Sequence, residues 1–266
     1  MFPPIECADD DGLLAFGGDL RIDTLQFAYG SGIFPWPVEG LPTLWFAPPR
    51  RAVLHFDDFH ISRRLKRDLK KNPFEIRIDT DFASVIRACA APRRDAASRT
   101  GKIEKDVDAE NGDAEIDSFD ADFGIAFADD AEADDAEADD GDDDASGTWI
   151  SPAIIAGYER LHRRATKLEL RAHSVEAYRD GALVGGLYGV SRGAYFCGES
   201  MFHRETNASK AALVALVEHL QDRGARWLDT QMMTPLFHAF GTHLIARDDF
   251  MAMLQTAWNR DVELFD

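Results

Sequence analysis

Residues 173–197 read HSVEAYRDGALVGGLYGVSRGAYFC, and this stretch decides the fold. His173 to Arg179 and Ala182 to Val190 are two runs of strand-forming residues, and the Asp180-Gly181 between them has the composition of a tight hairpin turn. Ala194 to Cys197 supplies a third strand. Outward toward the C-terminus, Ser209 to Arg223 reads as a helix ending at Gly224, Arg226 to Asp229 as a fourth strand, and Thr234 to Phe240 as a short helix closed by Gly241. Toward the N-terminus, Ser151-Pro152 opens a helix to about Arg164, with proline at the first helical position, where its missing N–H costs nothing. Ile155, Tyr158 and Leu161 form its apolar stripe, and Arg160, Arg163 and Arg164 its polar side. Earlier still, Ile61, Leu65 and Leu69 recur every four residues among Arg63, Arg64, Lys66, Arg67, Lys70 and Lys71, a helix with a strongly basic face that Asn72-Pro73 stops. Phe74 to Ile78 alternates as a strand.

Strands of this kind set between helices predict an α/β chain of the α+β type, and the element order resembles the mixed sheet of the N-acetyltransferase fold. A small N-terminal lobe is expected over 1–60, dense in Gly, Pro and large rings at Asp11 to Gly18 and Tyr29 to Pro37, with one short helix from Asp23 to Tyr29. An N-acetyltransferase-like catalytic domain is expected over 61–266, interrupted by an acidic low-complexity insertion at 97–146. Between Ile103 and Ser146, 20 Asp or Glu residues face Lys105 as the one cation, and AEADD repeats at Ala131 and Ala136. Like charges with few large apolar groups cannot recover the entropy of ordering, so this segment is expected to be disordered.

The insertion also accounts for the chain's net charge of −19; without it 28 acids and 28 cations remain. The remainder is therefore neutral and free to carry basic patches, which phosphate contacts require. At 266 residues and 45% hydrophobic content, one full core can be buried. No apolar run reaches the length of about 18 residues that a membrane span needs, and the opening residues lack a basic leader followed by an apolar run, so a cytoplasmic protein is expected. Cys7, Cys89 and Cys197 are scattered without a C-x-x-C pair, which argues against a disulfide framework or a structural zinc site, and the histidines show no H-x-x-x-H pair. Nothing in the pattern calls for a dimer.

Chemistry concentrates in Gly198-Glu199-Ser200-Met201-Phe202, Asn207-Ala208-Ser209-Lys210 and Trp227-Leu228-Asp229-Thr230-Gln231. Glu199 and Asp229 are expected at strand ends, where α/β layers open their crevice, and two carboxylates facing one cleft would hold an amine or guanidinium. The competing assignment pairs Glu199 with Arg204 and leaves Asp229 in a turn. Gln231 has no useful basicity, but its amide can orient an amine or donate to a developing oxyanion. No Ser-His-Asp or Cys-His constellation is evident, which favours direct attack over a covalent intermediate. Leu187, Tyr188, Phe196, Met201, Phe202, Met232 and Met233 could line an apolar pocket, and Trp36, Trp45 and Trp149 could stack on a base.

Gly12 to Leu20, Tyr29 to Trp36, Thr148-Trp149-Ile150, Ala172 to Glu176, Gly185 to Gly189, Gly198 to Phe202 and Asn207 to Lys210 together resemble the bacterial leucyl/phenylalanyl-tRNA–protein transferases. The resemblance implies transfer of Leu or Phe from aminoacyl-tRNA to acceptor proteins with an N-terminal Arg or Lys, creating a degradation signal. It implies no cofactor, because the ester is already activated. Carried over by motif, Asp229 and Gln231 position the attacking amine and the reacting carbonyl, and Glu199 sits beside them. Leu187, Met201 and Phe202 hold the Leu or Phe side chain, and Trp45 and Trp149 contact the 3′ end of the tRNA. Arg63 to Lys71, with Arg160, Arg163 and Arg164, track its phosphates. The family's His-Leu-x-Ser-Leu/Phe-Gly string is replaced here by Leu236 to Gly241, so its His and Ser are missing. An acyl-CoA-dependent N-acetyltransferase is disfavoured, since neither Arg192-Gly193-Ala194 nor Arg223-Gly224-Ala225 supplies a pyrophosphate loop. A module that binds aminoacyl-tRNA or N-terminal peptides without chemistry is the alternative.

Overall fold

The computed structural model describes residues 2–36, 41–91, 150–163 and 169–265. The acidic insertion, Trp149 and Arg164 lie outside these residues.

The hairpin that decides the fold forms as its sequence dictates. β6 (Arg171–Arg179) and β7 (Ala182–Arg192) pair antiparallel from Arg179 opposite Ala182, and Asp180 and Gly181 take φ of +50° and +78°, the left-handed pair that a two-residue turn needs to match the strands' twist. β8 (Tyr195–His203) continues the meander, and β9 (Trp227–Gln231) follows α5 (Ala208–Asp222) to run parallel to it. With β4 (Arg50–His55), β5 (Glu75–Ile78) and β10 (His243–Ala246) they make a seven-stranded sheet in the order β10-β4-β9-β8-β7-β6-β5, in which β8 and β9 are the parallel pair. The expected mixed α+β layer is therefore observed.

β1 (Leu13–Phe16), β2 (Phe34–Trp36) and β3 (Leu44–Phe46) form a separate three-stranded sheet beside α1 (Ile22–Gly30). β4 also falls within 1–60, yet it is an interior strand of the large sheet, so residues before 60 belong to both sheets. Its run Ala52-Val53-Leu54 is buried on both faces and has no alternation to announce it.

Strand alternation sends side chains to two cores. One is closed by α1, α3 (Phe82–Cys89), α4 (Pro152–His162) and α7 (Arg247–Trp258) and takes Tyr188, Val190, Cys197 and Phe202. The other is closed by α2 (Arg63–Lys71), α5 and α6 (Pro235–Ala239) and takes Val175, Leu187, Phe196 and Leu228. Helix starts follow local chemistry: Ser62, Asp81, Ser151 and Thr234 each accept a backbone N–H of the first turn. α2 buries Leu65 and leaves Arg63, Arg64, Lys66, Arg67, Lys70 and Lys71 exposed, as its periodicity requires. In α4 the stripe is led by Ile154 rather than Ile155. No helix among the described residues is long and apolar enough to cross a membrane.

Gly185 sets the seat of α5. A Cβ there would lie 2.5 Å from the Ala208 Cβ, so the absence of a side chain lets the first turn of the helix rest on β7. Gly185→Ala is expected to destabilise the fold by about 1–3 kcal/mol through overpacking. Urea unfolding checks this, and an unchanged midpoint would show that the helix yields freely.

Candidate active site

Two β-bulges build the site. Gly189 pairs with Gly198 and Tyr188 with Ser200, which leaves Glu199 as the extra residue of β8. Across the sheet Val53 pairs with Asp229 and Ala52 with Gln231, which leaves Thr230 as the extra residue of β9. Bulges bend a strand and re-aim side chains. β8 and β9 pair with each other at Cys197 and Asp229, just before both bulges. Glu199 and Asp229 therefore do not sit at strand ends, as the sequence suggests. They lie inside interior strands, because β8 runs four residues past Glu199 to His203.

The carboxylates are enclosed rather than open to a cleft: Glu199, Asp229 and Gln231 are each at most 2% exposed. Asp229 is gripped by the fork of Arg51, whose Nε donates to Oδ1 at 2.9 Å and Nη2 to Oδ2 at 2.8 Å. The Tyr195 hydroxyl donates to Oδ2 at 2.7 Å and the Gln231 backbone N–H to Oδ1 at 2.9 Å. Burial works against the Arg51 charge, and the Asp229 carboxylate more than restores it. Asp229 thus already has its counter-ion, and the expected capture of a substrate cation between two free carboxylates does not hold.

Glu199 is placed differently. Oε1 accepts from the Tyr29 hydroxyl at 2.7 Å and from Gln231 Nε2 at 2.9 Å, and Oε2 accepts from the Tyr158 hydroxyl at 3.1 Å. The two tyrosine hydroxyls also lie against each other, and since each has one proton, a bond between them replaces one of the two that they donate to Glu199. All its partners are neutral. Burial consequently lifts its carboxyl to about 7, against the pull of the tyrosine hydrogen bonds. Arg204 is not its partner and donates instead to the Leu183 carbonyl at 3.0 Å.

Gln231 has φ of +63°, a left-handed conformation for a residue with a side chain. Such strain persists where the surroundings over-determine it. Here Asp229 holds its N–H, and Glu199 and the Cys197 sulfur, 3.3 Å away, hold its carboxamide. Burial raises the Cys197 thiol well above its usual range, which keeps it neutral and a poor nucleophile.

Beside this network lies a narrow apolar pocket bordered by Glu199 and lined by Leu187, Met201, Leu213, Leu216, Leu228 and Phe237. Leu187 and Met201 both line this pocket. Phe202 does not join them, since alternation turns it into the core on the other face of the sheet. Trp45 also departs from expectation: it is 1% exposed, its Nε1 donates to the Gly17 carbonyl at 2.8 Å, and it has no free face for a base. Trp36, half-buried against Phe34, is the described member of that set with an open side.

Of the outlying cations, Arg160 donates to the Leu20 carbonyl at 3.2 Å and Arg163 pairs with Glu159 at 3.5 Å; the exposed cations of α2 surround Asp68, which lies 3.9 Å from Arg64 and 3.7 Å from Arg67. No cluster of three or more His, Cys, Asp or Glu side chains among the described residues is arranged to hold a metal ion. Arg51, Tyr29, Tyr158 and Tyr195 escaped sequence reading. Tyr158 lies on an apolar stripe and reads as core, while Tyr29 is an ordinary aromatic in a ring-rich segment. Arg51 carries one signal, a cation opening an apolar strand on the same face as buried Val53.

The pattern of the leucyl/phenylalanyl-tRNA protein transferases matches residues 53–107 and 121–255, and that of their N-terminal domain matches residues 18–49. The leucyl/phenylalanyl-tRNA–protein transferase of Pseudoalteromonas translucida is 37% identical over 264 residues, covering 98% of this chain and 88% of its own length. That of Pseudomonas putida is 40% identical over 255 residues, covering 95% of this chain and 89% of its own. Among solved structures, L-PGS from Bacillus licheniformis aligns with 81% of this chain and 52% of its own at 10% identity and a TM-score of 0.36, too low to inform the fold. On the sequence matches, this chain belongs to the leucyl/phenylalanyl-tRNA protein transferase family and is an aminoacyltransferase.

Proposed function

We propose that this chain transfers leucine or phenylalanine from aminoacyl-tRNA to the N-terminal Arg or Lys of acceptor proteins in the cytoplasm, marking them for degradation. The observation that carries the reading is a buried carboxyl, Glu199, held against the Gln231 carboxamide at 2.9 Å beside a pocket lined by apolar side chains, with burial lifting that carboxyl to about 7. A carboxylate offers about four acceptor sites and Glu199 uses at most three, so Oε2 can take one N–H of the incoming α-amine. The amine nitrogen attacks the ester carbonyl carbon. As the C–N bond forms, the C–O bond to the terminal ribose breaks, and the amine proton passes through Glu199 to the departing ribose oxygen. Gln231 keeps Glu199 aligned, and the bound ester supplies the activation. α2 supplies the phosphate-binding surface, and Trp36, in place of Trp45, offers a face to a terminal base.

Transfer of labelled Leu and Phe from charged tRNA to peptides that differ in an N-terminal Arg or Asp tests the reading. The Arg peptide is expected to be modified and the Asp peptide not. Glu199→Gln is expected to lower kcat by about 10²–10⁴ with little change in KM for the aminoacyl-tRNA. Wild-type binding of charged tRNA without transfer would instead favour a binding module.

Ionised Glu199 accumulates as pH rises through about 7, so kcat is expected to climb through that range, and Glu199→Gln to flatten the profile. Stability moves the other way. The folded chain keeps a proton on Glu199 that the unfolded chain releases near 4.5, so this residue's contribution is full below that pH and is lost as pH rises to about 7. Glu199→Gln removes that loss, so at pH 8 the variant is expected to melt above the wild type; an equal or lower melting temperature would count against a buried, near-neutral carboxyl.

Replacing Arg63, Arg67 and Lys70 with Gln is expected to reduce the slope of log K against log salt by about 2–3 for tRNA binding. An unchanged slope would place the tRNA elsewhere.

A further inference from the structure

Asp229 has no acceptor capacity left for a substrate. Arg51 Nε, Arg51 Nη2, the Tyr195 hydroxyl and the Gln231 N–H, at 2.7–2.9 Å, fill the roughly four sites of a carboxylate, and the residue is 0% exposed. Such a group has no site left with which to hold an amine. What it controls is Gln231, whose backbone N–H it fixes at a φ of +63°.

Arg51 is equally committed. It is 2% exposed, its Nη1 donates to the Gly32 carbonyl at 3.3 Å, and its Cζ lies over the Phe34 and Phe250 rings, 4.4 and 4.7 Å from their centroids. A planar fork satisfies both carboxylate oxygens at once and keeps its charge over two rings; a lysine ammonium, a point charge on a flexible stem, cannot make the paired contact. The group is thereby tied to the segment after α1, to β2 and to α7 at once.

We propose that Arg51 is a positioning residue for the transfer reaction: its guanidinium fixes Asp229, and through Asp229 the left-handed turn that presents the Gln231 carboxamide to Glu199. This inference rests on the reading of Glu199 and Gln231 as the reacting site. Gly32, Phe34 and Phe250 orient Arg51, Arg51 orients Asp229, and Asp229 orients Gln231. Arg51 and Asp229 are both at most 2% exposed and committed to each other, so neither offers a contact to substrate. A loss anywhere along this chain therefore misaligns chemistry without removing a binding contact, and the loss falls on kcat rather than KM.

Two variants test it, each measured for transfer kinetics and thermal unfolding. Arg51→Lys keeps the charge but loses the fork, and is expected to lower kcat at least about tenfold with KM for Phe-tRNA changed less than about twofold. Arg51→Gln combined with Asp229→Asn removes both buried charges together and leaves amide hydrogen bonds. It is expected to stay folded with a similar fall in kcat. A folded double variant with kcat within about threefold of wild type would overturn the proposal, because the pair would then serve packing alone. A double variant that fails to fold would overturn it too, because the pair would be a requirement of the fold and not of the reaction. Inactive wild type would sink the reading of the site itself, whereas active wild type beside active variants would sink the Arg51 inference alone.

Discussion

The buried pairing of Arg51 with Asp229 is the interaction on which the site depends. A carboxylate at 0% exposure is tolerable only with a partner, and a guanidinium at 2% exposure likewise. Once Arg51 has matched Asp229, the sheet can hold a second carboxyl nearby without another cation. Glu199 then sits among neutral donors, Tyr29, Tyr158 and Gln231, and burial leaves it near 7. Two carboxyl groups on adjacent strands thus have different partners, a guanidinium for Asp229 and neutral donors for Glu199. Acid–base sites in general work by such a division.

The division is a product of backbone geometry. The extra residues Glu199 and Thr230 interrupt the ladders of two neighbouring strands just past their mutual pairing at Cys197 and Asp229. Glu199 and Gln231 can then meet on the face covered by α1, α4 and α7, while Leu187, Met201 and Leu228 turn toward α5 and α6. The polar network and the apolar pocket lie on either side of one sheet, and Glu199 borders both. The N-terminal segment is part of this device, since Tyr29 reaches Glu199 and Gly32 and Phe34 hold Arg51.

Much of this was legible in the sequence. The hairpin turn at Asp180-Gly181, the helices at Arg63–Lys71, Pro152–His162 and Ala208–Asp222, and the grouping of Glu199, Asp229 and Gln231 rest on local patterns that tertiary structure preserves. Bulges have no such pattern, so Glu199 and Asp229 read as strand-end residues in an open crevice. β4 was hidden because an interior strand buries both faces, α3 because eight residues give little periodicity, and α7 because Ala246 supplies no capping side chain to mark its start. Trp45 shows the limit of carrying a role by residue type: a tryptophan fits a stacking platform and a core equally well, and only its hydrogen bond to Gly17 and its burial decide between them.

The central claim is that Glu199 is a buried carboxyl poised near neutrality beside an acid that already has its counter-ion. Carboxyl-selective ¹³C NMR of wild type, with Glu199→Gln to assign the resonance, measures this directly. The account predicts a glutamate titrating near 7 that vanishes in the variant. A Glu199 resonance titrating near 4.5, the ordinary glutamate value, would contradict it.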